Sequence, residues 1–168
     1  ENFSLSVASG ECVALVGPSG AGKSTVFALL LRFYDPQSGT IRIDGIELRA
    51  TDPRALRSLV AVVPQDPVIF AASVFENVRY GRPQASRDEV MQACAQAFAL
   101  EFVERLPQGL DTVLGERGVT LSGGQRQRAT LARAMLGDPE LLILDDSLSS
   151  VDADTERSIL RALHAERR

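Results

Sequence analysis

The feature that most constrains this chain is the segment Gly17–Ser24, which reads GPSGAGKS. It follows the apolar run Cys12–Val16 and precedes a helical pattern that begins at Lys23. A strand, a G-x-x-x-x-G-K-[ST] loop and a helix, in this order, form a phosphate-binding loop, because glycines free consecutive N–H groups to surround an anion. The helix adds the positive end of its dipole. The predicted phosphate-binding residues are Gly17, Pro18, Ser19, Gly20, Ala21, Gly22, Lys23, Ser24 and Thr25.

Strand and helix patterns alternate along the chain, which predicts an α/β fold with a mainly parallel sheet. Cys12–Val16, Val60–Val63 and Leu141–Leu144 are continuous apolar runs, as expected for strands buried on both faces. Phe3–Val7 alternates as a half-exposed strand does, and Thr40–Asp44 predicts a strand that ends in a tight turn. We therefore expect a P-loop NTPase core with a small antiparallel β portion.

Helical patterns dominate the second third of the sequence and predict an α-helical lobe inserted into the core. The predicted helices are Lys23–Tyr34, a short helix opened by Pro53, Ser73–Tyr80, Arg87–Ala97, Leu100–Leu106, Gly123–Leu136 and Asp154–Ala165. The first is apolar nearly all round and is expected to be buried. We predict one domain over residues 1–168, with the core at about 1–72 and 137–168 and the lobe at about 73–136. The chain is expected to be truncated at both ends, because it starts at Glu1 and stops within a helix.

Composition narrows the class of protein further. A net charge of -4 over 168 residues argues against a dedicated nucleic-acid surface, which usually needs a basic excess. Cys12 and Cys94 lie in apolar or helical patterns and are predicted to be buried, reduced thiols. The longest apolar runs fall far short of the ~20 residues that span a bilayer.

Two acids, Asp145 and Asp146, directly follow the apolar run Leu141–Leu144. The carboxyl ends of strands in open α/β sheets are where ligands bind. Asp145 is placed to hold Mg²⁺ together with the Ser24 hydroxyl, while the Lys23 ammonium can reach phosphate oxygens. The next acid would polarise the attacking water. The alternative is a pair of acids that cap a helix.

A second candidate anion site is Leu121–Gln125, with the sequence LSGGQ at the start of a helix. Ser122 and the N–H groups of Gly123 and Gly124 can face an anion there. The chain has only one phosphate-binding loop for a nucleotide of its own. A second site that can contact phosphate therefore predicts that Leu121–Gln125 binds the nucleotide held by a partner chain. The alternative for this stretch alone is a Gly-rich helix cap.

Five motifs in this order resemble the ATP-binding cassette family across essentially the whole chain. They are Gly17–Ser24, Gln65, Leu121–Gln125, Leu141–Asp146 and Ser149–Asp152. The resemblance implies ATP and Mg²⁺ as cofactors, with Gln65 contacting the metal and the attacking water. It also implies that Ser149–Asp152 crosses a dimer interface, where two such domains close head to tail on two ATP molecules.

Finer features resemble an exporter-type subfamily. They are Leu31–Pro36, Glu76–Gly81 and Gly115–Gly118, the last with Glu116 and Arg117 as a charge pair or an exporter loop. The resemblance implies transmembrane domains as partners and a place on the cytoplasmic face of a membrane, the cell inner membrane in a bacterium. Phe70 and Phe75 either line a groove for a transmembrane segment or pack in the core.

The chain departs from the family at Asp146, where the usual catalytic acid is Glu. Asp is one methylene shorter, and about 1 Å of misplacement can cost on the order of a hundredfold in rate. Two functions therefore stay open. One is an ATP hydrolase that drives an exporter. The other is an ATP-binding subunit of a heterodimeric exporter with little hydrolysis at its own site.

A third alternative is a soluble ATPase of chromosome maintenance or translation. Long coiled-coil insertions are typical of the chromosome class, and this sequence carries none between its phosphate loop and Leu121–Gln125. The family's switch histidine normally follows the final helix, so His164 is predicted to be a surface residue. The adenine-stacking aromatic is expected before Glu1.

Overall fold

The computed structural model describes residues 3–18, 20–115 and 118–165, with side chains described as far as residue 163. The helices are α1 (Lys23–Leu30), α2 (Pro53–Leu59), α3 (Val74–Arg79), α4 (Arg87–Gln96), α5 (Leu100–Glu104), α6 (Gly123–Leu136) and α7 (Ala153–Ala165). The strands are β1 (Arg42–Ile43), β2 (Ile46–Glu47), β3 (Val60–Val63) and β4 (Leu141–Leu144). Short 3₁₀ turns occupy Leu48–Ala50 and Gly109–Asp111.

β3 and β4 form a parallel pair in the register Val60–Leu141 to Val63–Leu144. Both strands are continuous apolar runs, as parallel strands covered on both faces usually are. The N–H of Asp145 donates to the carbonyl of Val63 at 3.0 Å, so the pairing extends one residue beyond β4. This fixes the first of the two acids beside the segment that follows β3.

A separate antiparallel hairpin is made by β1 and β2. Its turn residues Asp44 and Gly45 have φ values of 49° and 79°, as a two-residue turn with left-handed residues requires. Asp is one of the few residues with a side chain that adopt this conformation readily. The hairpin confirms the small antiparallel portion of the α/β fold.

α6 is the centre of the larger hydrophobic core. Seven of its residues are buried, and α3 and α4 pack against it. Serine caps precede both partners: Ser73 Oγ accepts from Glu76 N–H, and Ser86 forms a capping box with Glu89. Residues 73–136 contain the four helices α3, α4, α5 and α6. The bounds of the helical lobe remain a prediction.

The expectations for the N-terminal segment are wrong. Within the described residues, Phe3–Val7 and Cys12–Val16 form no strand, and Val16 is 93% exposed. An apolar run becomes a strand only if a neighbouring edge pairs its N–H and C=O groups. Here Cys12 to Leu15 face β4 across a cavity. Cys12 is consequently exposed, whereas Cys94 is buried as predicted.

α1 is shorter and less buried than predicted. It ends at Leu30, and Arg32 turns to a φ of 52°, which breaks the helical backbone. None of its eight residues is fully buried. Its apolar surface was predicted to be covered on all sides, but the unpaired N-terminal segment leaves it half-exposed.

Among the helices of the described residues, none combines the length and the apolar character needed to cross a bilayer.

Candidate functional site

One cavity of about 880 Å³ lies between the N-terminal segment, α1, β4 and α7, and Gln65 from the segment after β3 also lines it. Residues from five separate parts of the sequence line it. Those predicted to carry the chemistry are Gly20, Gly22, Lys23, Ser24, Thr25, Gln65, Asp145 and Asp146. The fold therefore brings the phosphate loop, Gln65 and both acids to one place.

Backbone conformation explains two of the loop's glycines. Gly20 and Gly22 have φ values of 81° and 94°, in the left-handed region that side chains rarely adopt. An added Cβ at either would meet nothing within 4 Å, so conformation rather than crowding requires glycine there. Gly17 differs, since its added Cβ would lie 3.2 Å from Ala21 Cβ. The loop thus has open space beside Gly20 and Gly22, as an anion-binding loop requires.

Lys23 begins α1 and folds back over the loop. Its Nζ donates to the carbonyl of Gly17 at 2.6 Å and to that of Pro18 at 3.0 Å. These acceptors are uncharged, so a phosphate oxygen would offer the ammonium a stronger, charge-assisted bond. The lysine is therefore held at the loop and can exchange its carbonyl contacts for an anion.

Asp146 has an unusual backbone, with a φ of 48°. Its carbonyl accepts a hydrogen bond from Ser149 Oγ at 2.9 Å, which closes the turn after β4. The backbone is thereby held at a position where Asp146 lines the cavity. Gln65 lies two residues after β3, is exposed, and lines the same cavity.

The fit of Mg²⁺ can be judged from the donors present. Ser24, Gln65 and Asp145 supply a hydroxyl, an amide oxygen and a carboxylate at one cavity. Mg²⁺ usually binds through one or two carboxylates and completes its shell with water and substrate phosphates. The donor set therefore fits Mg²⁺ bound together with a nucleotide.

The second predicted anion site has an ordered backbone at the start of α6. Ser122 Oγ accepts from the Gln125 N–H at 3.3 Å, and Gln125 Oε1 accepts from the Ser122 N–H at 2.9 Å. This capping box leaves the N–H groups of Gly123 and Gly124 at the helix terminus. The described residues that line the cavity include none of 122–125. Within one chain, the two predicted phosphate sites are separate.

Two residues of α6 were missed by the sequence interpretation. Gln127 is 2% exposed and accepts from the Ser150 N–H, and Arg133 donates to carbonyls of Asn77 and Val68. Burial lowers the pKa of Arg133. Gln127 is buried and Arg133 is half-buried among the apolar positions of an amphipathic helix, and polar residues at such positions were the signal that could have revealed them.

The two phenylalanines of the predicted groove differ. Phe75 packs against the main core, while Phe70 is 37% exposed and its ring lies 4.9 Å from that of Tyr80. The groove remains a prediction. Three other predictions concern positions outside the described residues: Ser19, the charge pair at 116 and 117, and the side chain of His164.

Comparison with known proteins points to one family. A family profile described as "ABC transporter" matches residues 1–149. The chain is 52% identical over 161 residues to "ABC transporter B family member 21" of Arabidopsis thaliana, covering 96% of this chain and 12% of that protein. It is 50% identical over 163 residues to "Mitochondrial potassium channel ATP-binding subunit" of Xenopus tropicalis, covering 96% and 24%.

A solved structure is also similar. It is titled "Structure of a bacterial Atm1-family ABC exporter with ATP bound". The TM-score is 0.91 at 46% identity, covering 96% of this chain and 28% of that one. The chain thus spans between 12% and 28% of the length of these similar proteins.

Proposed function

We propose that this chain, which belongs to the ABC transporter family as a nucleotide-binding domain of the exporter type, binds Mg²⁺ and ATP in the cavity and hydrolyses the ATP to drive transport. One observation carries the proposal. The phosphate loop, Gln65 and both acids, which are far apart in sequence, line a single cavity. A packing role would not require their polar groups to face the same space.

The phosphate loop would hold the β- and γ-phosphates. The N–H groups between Gly20 and Ser24 surround the anion, and the start of α1 adds its positive dipole end. Lys23 moves from the carbonyls of Gly17 and Pro18 to the phosphate oxygens. Because its contacts to the loop are to neutral acceptors, this exchange favours the nucleotide-bound form.

Ser24, Asp145 and Gln65 would hold the metal. When bound, Mg²⁺ neutralises charge on the phosphates. The bond between the Asp145 N–H and Val63 ties the end of β4 to β3, and thus orients Asp145 relative to Gln65. Asp146 then acts as the acid that polarises the attacking water, with Gln65 orienting it.

The signature Ser122–Gln125 would complete the ATP site of a second nucleotide-binding domain. Support comes from its separation from this chain's own cavity and from its preorganised helix terminus. The proposed assembly also includes transmembrane domains, with this domain on the cytoplasmic face of the membrane. That would be the inner membrane in a bacterium.

The direct test is ATP hydrolysis by the full-length protein in lipid vesicles. The wild type is expected to hydrolyse ATP only with Mg²⁺, and Asp145→Asn should lower turnover at least about a hundredfold, since charge stabilisation in the site is large. Asp138→Asn is the control, since Asp138 is another aspartate near β4 in the sequence but does not line the cavity. Undiminished turnover in Asp145→Asn would overturn the proposal.

A second candidate is a binding subunit whose own site hydrolyses slowly. The observation that favours it is the short Asp146 side chain on a backbone already fixed by Ser149. Because the backbone is fixed, it cannot move toward the water to compensate for the methylene that Asp lacks relative to Glu. The Asp146 carboxylate therefore stays about 1 Å too far from the attacking water. The family alone does not distinguish this from efficient hydrolysis.

Asp146→Glu separates the two candidates. If the short side chain limits hydrolysis, turnover of the full-length protein should rise about tenfold or more, with ATP affinity unchanged. Asp138→Glu serves as the control for placing Glu on a left-handed backbone. Equal turnover in wild type and Asp146→Glu would reject the slow-site candidate.

A further inference from the structure

The start of α6 lies directly on the turn that follows β4. An added Cβ at Gly124 would lie 2.7 Å from the Ser150 carbonyl oxygen, and one at Gly123 would lie 3.1 Å from Ser150 Cβ. Such distances leave no room for a side chain at Gly124 without a backbone shift. The backbone of the signature therefore rests on the backbone of the turn.

Gln127 joins the same two elements by a buried hydrogen bond. Its side chain is almost wholly buried, and its Oε1 accepts from the Ser150 N–H at 3.0 Å. A buried amide is costly unless its polar atoms are paired, so breaking this bond would leave the Gln127 acceptor buried without its partner. Gln127 thus fixes the distance between α6 and Ser150.

Hydrogen bonds within the turn connect the backbone at Ser150 to the backbone at Asp146. Ser149 Oγ donates to the Asp146 carbonyl, and the Val151 N–H donates to the Leu148 carbonyl at 2.9 Å. Leu148 is 8% exposed and belongs to the main core. Residues 146–151 are therefore tied together within the turn and anchored in the interior.

We propose that Gln127 is a positioning residue that couples the signature to the hydrolytic acid of the same chain. The proposal rests on the proposed function, in which Ser122–Gln125 contacts the partner's ATP and Asp146 acts on this chain's own ATP. Movement of α6 on binding the partner's nucleotide would shift Ser150 through Gln127, and Asp146 with it. Each ATP site thereby senses whether the other is closed.

The test is a set of four variants in the full-length protein. Gln127→Met keeps the volume and removes the acceptor, and Gln127→Asn keeps the amide but withdraws it by one methylene. Gln127→Glu has the same side-chain length and keeps a carbonyl oxygen that can accept from the Ser150 N–H. Burial favours the neutral form of that carboxyl group. Thr130→Val is the matched control, since Thr130 is also buried in α6 and its Oγ1 has no hydrogen-bond partner among the described residues.

Steady-state ATPase in lipid vesicles is measured with Mg²⁺, together with the melting temperature. Gln127→Met and Gln127→Asn are expected to lower kcat about tenfold, with KM within about threefold of wild type, because a shift of the acid affects hydrolysis more than binding. Gln127→Glu and Thr130→Val should stay within about threefold in both constants. If Gln127→Met cannot be obtained as folded protein, the kcat of Gln127→Asn decides whether the inference holds.

Two results would overturn the inference while leaving the proposed function in place. Normal kcat in Gln127→Asn would show that the bond does not position the acid. Loss of kcat in Thr130→Val equal to that in Gln127→Met would show that any change in the interior of α6 suffices. Wild-type protein without Mg²⁺-dependent hydrolysis would instead overturn the proposed function and this inference together.

Discussion

The two predicted anion sites of this chain are built in different ways. The phosphate loop Gly17–Ser24 begins a helix with no fully buried residue and follows an exposed, unpaired segment. The signature Ser122–Gln125 begins a helix with seven buried residues and is closed by a capping box. One site is supported by the core, whereas the other is bordered by a cavity.

The difference indicates how each site is organised. The signature has its geometry fixed by packing before any ligand arrives, so binding there costs little ordering. The phosphate loop is held by Lys23 on two carbonyls and by the left-handed glycines. A ligand that binds only the organised form stabilises it by mass action. We therefore expect ATP to order the phosphate loop and its surroundings much more than the signature.

The largest effect on ATP binding is expected for Lys23→Met, which removes the ammonium from the phosphate loop. ATP affinity should fall about tenfold to a hundredfold, as for loss of a charged hydrogen bond. The melting temperature without nucleotide should barely change, because the lost contacts are two bonds to loop carbonyls. Nucleotide titration and a thermal melt measure both. A large drop in melting temperature without ATP would mean that the loop is organised without its ligand.

A pair of glycine variants tests how closely the core packs around α6, the helix that carries the signature. An added Cβ at Gly81 would overlap the Arg133 carbonyl of α6, whereas at Gly39, with φ 83°, it would meet nothing within 4 Å. Gly81→Ala should therefore lower the free energy of unfolding by about 3 kcal/mol and Gly39→Ala by about 1 kcal/mol. Denaturant titration compares the two, and equal losses would contradict close packing around α6.

The smallest effect concerns pH and the capping box of α4. The Ser86 N–H holds the pKa of Glu89 below its usual value, with further lowering by the Ser86 hydroxyl and by Arg82. A carboxyl whose pKa is lowered on folding stabilises the protein above its unfolded pKa, and that stability is lost as the pH falls through the folded pKa. Glu89→Gln should therefore flatten the decline of melting temperature with acid below about pH 4.5. An unchanged slope would show that this cap contributes nothing measurable.

The sequence was most informative where local signals agreed with the packing. α3, α4 and α6 follow serine caps and amphipathic patterns, and β3 and β4 occupy the predicted apolar runs. Such features depend on periodicity and short-range chemistry, which a sequence carries directly.

Other features depended on contacts that a sequence does not display. The apolar character of Cys12–Val16 was taken for a buried strand, but pairing depends on which edge is within reach. The role of Gln127 required knowing that Ser150 lies beside Gly124. Asp146 was found from its place after β4, yet its positive φ and its bond to Ser149 needed the structure.

The most direct test of the central contrast is amide hydrogen exchange of the full-length protein with and without a non-hydrolysable ATP analogue and Mg²⁺. Without nucleotide, amides of residues 125–134 should already be strongly protected, and those of 17–24 should exchange fast. Nucleotide should slow exchange at 17–24 by about tenfold or more while 127–134 change little. Equal protection of the two regions without nucleotide, or no slowing at 17–24 with it, would contradict the account.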